Sequence, residues 1–327
     1  MKWALVTGGA GFIGHHLIQH LLVNTDWGIV CLDRLDTSGN LNRLSEILIK
    51  PEHAARFRFV FHDLKAELNE TTRADIGKVN YIFHLAAGSH VDRSITDPLS
   101  FVMDNVVGSC NLFNYARSVD GLERLFYFST DEVFGCAPEG VDFKEWDRYN
   151  STNPYSASKA GAEELAIAFR NTYNLPIITT HCVNVFGERQ HPEKYIPLCI
   201  NRIDKGEKIL IHSHRDKTKA GSRFYIHARN VSAAVLFLVQ HGVIGEKYNI
   251  TSTSELSNLE VAQFIADALE KPLNYEMVDF HSSRPGHDLR YSLDGDRLKD
   301  LGFEYQVSFE DSMLKTIKWT MANRRWM

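Results

Sequence analysis

The chain has 327 residues, 44% hydrophobic and 24% charged, with a net charge of −5 and no long basic run, a composition that fits a soluble globular protein and disfavours a nucleic-acid partner. Five scattered cysteines (31, 110, 136, 182 and 199) offer neither zinc spacing nor a disulfide framework, so no metal and a reducing cytoplasm are expected. No run approaches the about 18 apolar residues that span a bilayer, and the apolar start is too short for a signal peptide, so no membrane partner is expected.

In chain order, Trp3 to Thr7 reads as a buried strand and Phe12 to Val23 as a helix. Ile29 to Leu32, Phe57 to Phe61 and Tyr81 to Leu85 read as strands two to four. Ser100 to Val119 reads as a long helix, Leu125 to Ser129 as a fifth strand, Tyr155 to Tyr173 as another long helix and Pro176 to His181 as a sixth strand. Short apolar runs without internal alternation, separated by helices, point to a parallel sheet covered on both faces. Past residue 180 the alternation fades. His181 to Pro197 and Ile211 to Tyr225 read as polar and irregular, Ser257 to Glu270 as a helix N-capped by Ser257, and Phe309 to Ala322 as a last helix. The expected fold is α/β: a doubly wound Rossmann sheet over residues 1–180, with part of 223–241 returning to it. A smaller nucleotide-sugar-binding α/β cap is expected over 181–327.

The first strand ends in a glycine fingerprint, Gly8-Gly-Ala-Gly11-Phe-Ile-Gly14. Gly8 allows a tight turn, Gly11 lets backbone approach a pyrophosphate, and Gly14 lets helix and strand pack closely. Phosphate then sits on the free N–H groups of the helix start. Asp33 follows about 20 residues on, at the end of the second strand, where a carboxylate accepts the ribose hydroxyls of NAD and repels a 2′-phosphate.

Tyr155 and Lys159 stand four apart, on one helix face. A nearby ammonium and a cationic nicotinamide are expected to favour the phenolate, which takes a proton from an alcohol as its hydride leaves. Lys159 is also a candidate for the nicotinamide ribose. Thr130-Asp131-Glu132 closes the fifth strand. An acid and a base beside a Tyr–Lys pair point past plain dehydrogenation to an elimination.

Together Thr7 to Gly14, Leu85-Ala-Ala87, Asn105, Ser129 and Tyr155-x-x-x-Lys159 resemble the extended short-chain dehydrogenase/reductase family. Ser89 to Ile95, Ser129 to Gly135, Pro192 to Pro197 and Arg284 to Tyr291 resemble its nucleoside-diphosphate-glucose 4,6-dehydratase branch, of which the dTDP-glucose enzyme is the best-known type. The resemblance implies NAD, held by Gly8, Gly11, Phe12, Ile13, Gly14, Asp33, Asp63, Leu64, Leu85, Ala86, Ala87, Asn105, Tyr155 and Lys159. It implies a nucleoside-diphosphate sugar touched by Ser89, Thr130, Asn184, Glu193, Lys194, Arg223, Asn258, Arg284 and His287. It further implies that Tyr155 oxidises C4 with Thr130 near that oxygen, that Glu132 takes the C5 proton, and that Asp131 protonates the C6 hydroxyl. A homodimer built from the two long helices is implied as well.

Thr-Asp-Glu is similar to the dTDP- or UDP-glucose type; GDP-mannose dehydratases typically carry Ser where Asp131 stands. Gly88 replaces a usual Glu, Val185 a usual Asn, and the stretch from Ile211 to Ser222 is longer and more basic than in the family. These departures leave the base and the sugar open, UDP-N-acetylglucosamine included. A 5,6-dehydratase or an epimerase of the family is the alternative, and a nucleotide-sensing relative without activity is a second class. His212 and His214 lack a third ligand of matching spacing, so they do not change the expectation of no metal.

Overall fold

The structure is a computed structural model that describes residues 1–280 and 289–327. Twelve strands are defined among the described residues. The first six are β1 (Trp3–Thr7), β2 (Gly28–Asp33), β3 (Phe57–Phe61), β4 (Tyr81–His84), β5 (Arg124–Thr130) and β6 (Ile177–Cys182). The others are β7 (Asn184–Phe186), β8 (Ile209–Ser213), β9 (Ser222–His227), β10 (Lys247–Ile250), β11 (Glu255–Ser257) and β12 (Tyr275–Asp279).

One parallel sheet of seven strands runs β10-β6-β5-β4-β1-β2-β3. Successive residues point to opposite faces, and both faces are buried. Val6, Cys31, Phe83 and Phe126 meet Leu17, Leu21 and Val235 on one side. Leu5, Val30, Ile82 and Tyr127 meet Leu112, Phe113 and Ala162 on the other. This double burial is why the strands read as unbroken apolar runs. The helix Ala228–His241 packs on the sheet's first helix, Phe12–Asn24. The outer strand β10 lies further along the chain than that helix.

Helices Phe12–Asn24, Pro154–Tyr173 and Phe309–Ala322 match their expected extents within a residue. Ser257 caps Asn258–Ala268 in a reciprocal box with Glu260. The expected helix from Ser100 to Val119 is instead three pieces: Pro98–Phe101, a π-helical segment Val102–Val107, and Gly108–Ala116. The π segment lets Asn105 turn inward, where its amide holds Gly88 N, Gly88 O and Ser158 Oγ at 2.7, 3.1 and 2.8 Å.

The segments expected to be irregular contain β7, helix Tyr195–Asp204, β8 and β9. β9 pairs with β7 and β11, and β8 pairs in parallel with β12. Ile209, Ile211 and Ser213 of β8 are buried while Leu210 is exposed. That alternation is short and ends in histidine and serine, so it is weak in sequence. A separate apolar core, including Ile200, Ile211, Tyr225, Val261 and Ile317, fills this lobe.

A buried ionic cluster ties the Tyr155 helix to the sheet edge. Glu163 accepts from Lys247 Nζ of β10 at 2.9 Å, lies 3.1 Å from His181 Nε2 of β6, and is bonded by the Tyr149 hydroxyl. Burial opposes its ionisation, but His181, Lys247 and Tyr149 outweigh that and hold its pKa well below the ordinary glutamate value. Glu163→Ala would strand Lys247 and His181, and is expected to cost about 3–5 kcal/mol in a urea melt at pH 7. A loss as small as that of an exposed substitution would contradict this account of the cluster.

Candidate active site

The C-terminal ends of β1, β2, β4, β5 and β6 open into one groove. At its β1 end Gly8 has φ +69°, and a Cβ there would sit 2.7 Å from Ala86 N, so only glycine lets this turn and the loop after β4 meet. A Cβ on Gly14 would collide with the Gly8 carbonyl. No side chain caps the helix that starts at Phe12. Phe12, Ile13 and Gly14 line the groove there, leaving the helix start to an anion. Asp33 is buried; its Oδ2 accepts from Ala10 N at 2.9 Å and its Oδ1 from Leu35 N at 2.8 Å. Burial raises its pKa, and these two donors only partly offset that. Each oxygen keeps a lone pair for a ribose hydroxyl. Asp63, Leu64, Leu85, Ala86 and Ala87 line the same groove. These residues fit NAD. Asn105, expected at the cofactor, is outside the lining: its amide is spent on Gly88 and Ser158.

At the other end, Thr130 closes β5 and caps the 3-10 turn Asp131–Phe134. Its hydroxyl donates to Asp131 Oδ1 at 3.0 Å. Asp131 is 4% exposed, and its Oδ2 has no partner among the described residues. Burial first, then the neighbouring Glu132 charge, push its pKa up to about 7, against smaller opposing effects from Thr130 and Arg223. Glu132 is less buried, with Asn153 Nδ2 and the Tyr291 hydroxyl both 3.4 Å from its Oε2. Tyr155 and Lys159 line the groove beside this pair.

Burial and the Glu132 and Asp131 charges raise the Tyr155 pKa, and the Thr130 hydrogen bond works the other way. Lys159 Nζ donates to Phe128 O at 2.6 Å. Burial lowers Lys159 itself to about 8. Burial and these carboxylates favour the neutral phenol, and a cationic nicotinamide would act in the opposite direction.

On the substrate side Ser89, Asn184 and Lys194 line the groove, and Lys194 Nζ reaches Ser89 O at 3.3 Å. Glu193 turns outward to Arg93 at 3.2 Å. Arg223 donates to Ser222 O and Leu289 O and lies 4.4 Å from the centre of the Tyr291 ring. Asn258 Oδ1 accepts from the Tyr225 hydroxyl at 2.6 Å. Neither Arg223 nor Asn258 lines the groove in this structure. Arg284 and His287 lie outside the described residues.

Residues that sequence reasoning passed over include Asn153, Tyr291, Cys182 and Arg34. Asn153 had a local signal: it caps the Tyr155 helix in front of Pro154. Tyr291 had one too, since it closes the Arg284 to Tyr291 stretch that resembles the dehydratase branch, but no role was read for it.

Fold and site together define a Rossmann protein with a Tyr–Lys pair and a carboxyl pair at the sheet's C-terminal edge. The chain belongs to the GDP-mannose 4,6-dehydratase family, whose model matches residues 5–316. It is 36% identical over 349 residues to the dTDP-glucose 4,6-dehydratase of Escherichia coli, covering 98% of this chain and 94% of that protein. It is 41% identical over 310 residues to the low-salt glycan biosynthesis protein Agl12 of Haloferax volcanii, covering 94% and 95%. The crystal structure of DesIV, a dTDP-glucose 4,6-dehydratase from Streptomyces venezuelae with NAD bound, matches with a TM-score of 0.89 at 35% identity, over 99% of this chain and 98% of that one. The extended short-chain dehydrogenase/reductase resemblance is borne out.

A raised carboxyl pKa means that folding favours the protonated form. That contribution is full below the unfolded value of about 3.9 and is lost as pH rises through about 7. Asparagine at 131 never ionises. Asp131→Asn is therefore expected to raise Tm relative to the parent at pH 8.5, with a smaller difference at pH 5.5. A Tm difference that does not change with pH would refute the assignment of a buried, titrating acid.

Proposed function

We propose that the protein carries out NAD⁺-dependent dehydration of a nucleoside-diphosphate hexose, of the dTDP- or UDP-glucose type, to the 4-keto-6-deoxy sugar nucleotide. The observation that carries this reading is Asp131: a buried acid with one oxygen unpartnered, beside a second carboxylate and a tyrosine at one end of the groove. Tyr155 accepts the proton of the 4-hydroxyl, assisted by Thr130. Bound NAD⁺ supplies the hydride acceptor that takes hydrogen from C4 and returns it to C6. The 4-ketone acidifies C5; Glu132 removes that proton, and a proton is returned to C5 once the hydride has reached C6. Asp131, protonated near neutral pH, gives its proton to the departing C6 hydroxyl, which leaves as water. Lys159 holds the nicotinamide ribose.

Ser89, Asn184, Glu193, Lys194, Arg223, Asn258, Arg284 and His287 are proposed for the sugar nucleotide, with Arg223 on the diphosphate. The first 180 residues, with part of 223–241, are proposed as the cofactor unit, joined by β10 of its sheet, and the remainder as the substrate unit. A cytoplasmic homodimer completes the reading. Exposed Ile95, Leu99 and Val102 near the Tyr155 helix support pairing through that face. Among the described residues no helix is long and apolar enough to cross a membrane.

A C4-deuterated substrate is expected to yield product that has lost one water and carries deuterium at C6. Retention at C4, washout, or a 5,6-ene seen by NMR would defeat the dehydratase assignment. Asp131→Asn is expected to lower kcat about 10²–10⁴-fold. It should also abolish a decline in parent kcat as pH rises above about 7, where Asp131 loses its proton.

A further inference from the structure

Asp33 marks the ribose end of the groove, and the next residue is a cation. An acid there selects NAD, whereas an arginine close by accommodates the 2′-phosphate of NADP. Neighbours 33 and 34 thus carry opposite instructions. The hydrogen bonds of Arg34 resolve the conflict. Its Nη1 and Nη2 donate to the two oxygens of Asp104 at 2.5 and 2.7 Å. Its Nε and Nη2 donate to Asp36 Oδ2 at 2.9 and 2.5 Å, and Nη1 reaches Asp63 Oδ1 at 3.4 Å. A guanidinium has five N–H donors, and these contacts occupy all of them.

Asp104 cannot readily swing away. Its side chain is 8% exposed and stands on the π-helical segment, where a Cβ on Gly88 would lie 3.4 Å from its Oδ2. The second guanidinium lining the groove, Arg43, is spent on the carbonyls of Arg189, Ala10 and Ser38 at 3.0, 3.1 and 2.6 Å. Lys65 faces Asp63 and Asp104 at 3.3 and 3.9 Å.

We infer that Asp36, Asp63 and Asp104 saturate Arg34 and so form a second determinant of NAD over NADP, additional to Asp33. The inference rests on the groove being an NAD site. It is tested by calorimetric titration of NAD⁺ and NADP⁺, with no turnover needed. Asp33→Ser alone is expected to leave NADP⁺ binding weak. Adding Asp36→Asn and Asp104→Asn should tighten NADP⁺ on the order of tenfold or more, with a steeper loss in salt. Arg34→Met on that background should erase the gain. Full NADP⁺ affinity from Asp33→Ser alone, no gain from the added changes, or a gain that survives Arg34→Met would each overturn the inference. Where circular dichroism shows that the triple variant does not fold, Asp33→Ser with Asp36→Ala frees two of the five donors and is held to the same comparison at a smaller gain. Failure of the parent to bind NAD⁺ would overturn the cofactor reading itself.

Discussion

Two carboxyl groups adjacent in sequence and facing one groove cannot both ionise cheaply when one is buried, and the chemistry of this protein depends on that constraint. Desolvation acts on Asp131 far more than on Glu132, because the 3-10 turn after β5 directs residue 131 inward and leaves 132 partly open. On the proposed reading this difference makes Asp131 the proton donor and Glu132 the proton acceptor. The split comes from backbone geometry: Thr130 is at once the last residue of the strand and the cap of the turn, so the strand's register sets which carboxyl goes inside. β5 lies between β4 and β6, and its partners leave it no freedom to slide.

Two ammonium groups near that pair are committed to partners elsewhere. Lys159 points at a backbone carbonyl, and Lys247 is matched to Glu163 on the other side of the sheet edge. A free ammonium beside Asp131 would lower its pKa and remove its proton at neutral pH. Burial and the neighbouring carboxylates likewise favour the neutral form of the Tyr155 phenol. On the proposed reading a cationic nicotinamide works against both.

The half of the molecule that was legible in sequence is the half in which local rules decide. Residues such as Val6 and Leu5 are buried on opposite faces, so β1 reads as a continuous apolar run; the glycines at 8, 11 and 14 answer to contacts within a few residues or with one facing loop. Asp131 and Glu132 were readable because they sit at a strand end next to a Tyr–Lys helix. The second lobe was opaque because its strands are three to six residues long and pair across distant stretches, as β8 does with β12. The π segment was opaque too: a helix pattern does not announce the extra residue that turns Asn105 inward. Arg34 and Asp104 were invisible as a pair, since nothing in either neighbourhood names the other.

Arg223 shows how the second lobe reaches the chemistry without lining the groove. Its positive charge lowers the Asp131 pKa, opposing Glu132. Its present anchors are two backbone carbonyls and the face of Tyr291, whose hydroxyl in turn approaches Glu132. On the proposed reading a substrate diphosphate takes up that cation. Two negative phosphates then offset a charge that pulls the proton off Asp131, and exclusion of water by the sugar deepens its burial. Both changes act in the same direction, so substrate binding raises the acid's hold on its proton at the moment the proton is required. The diphosphate, distant from the bonds that break, would then prepare the group that expels water.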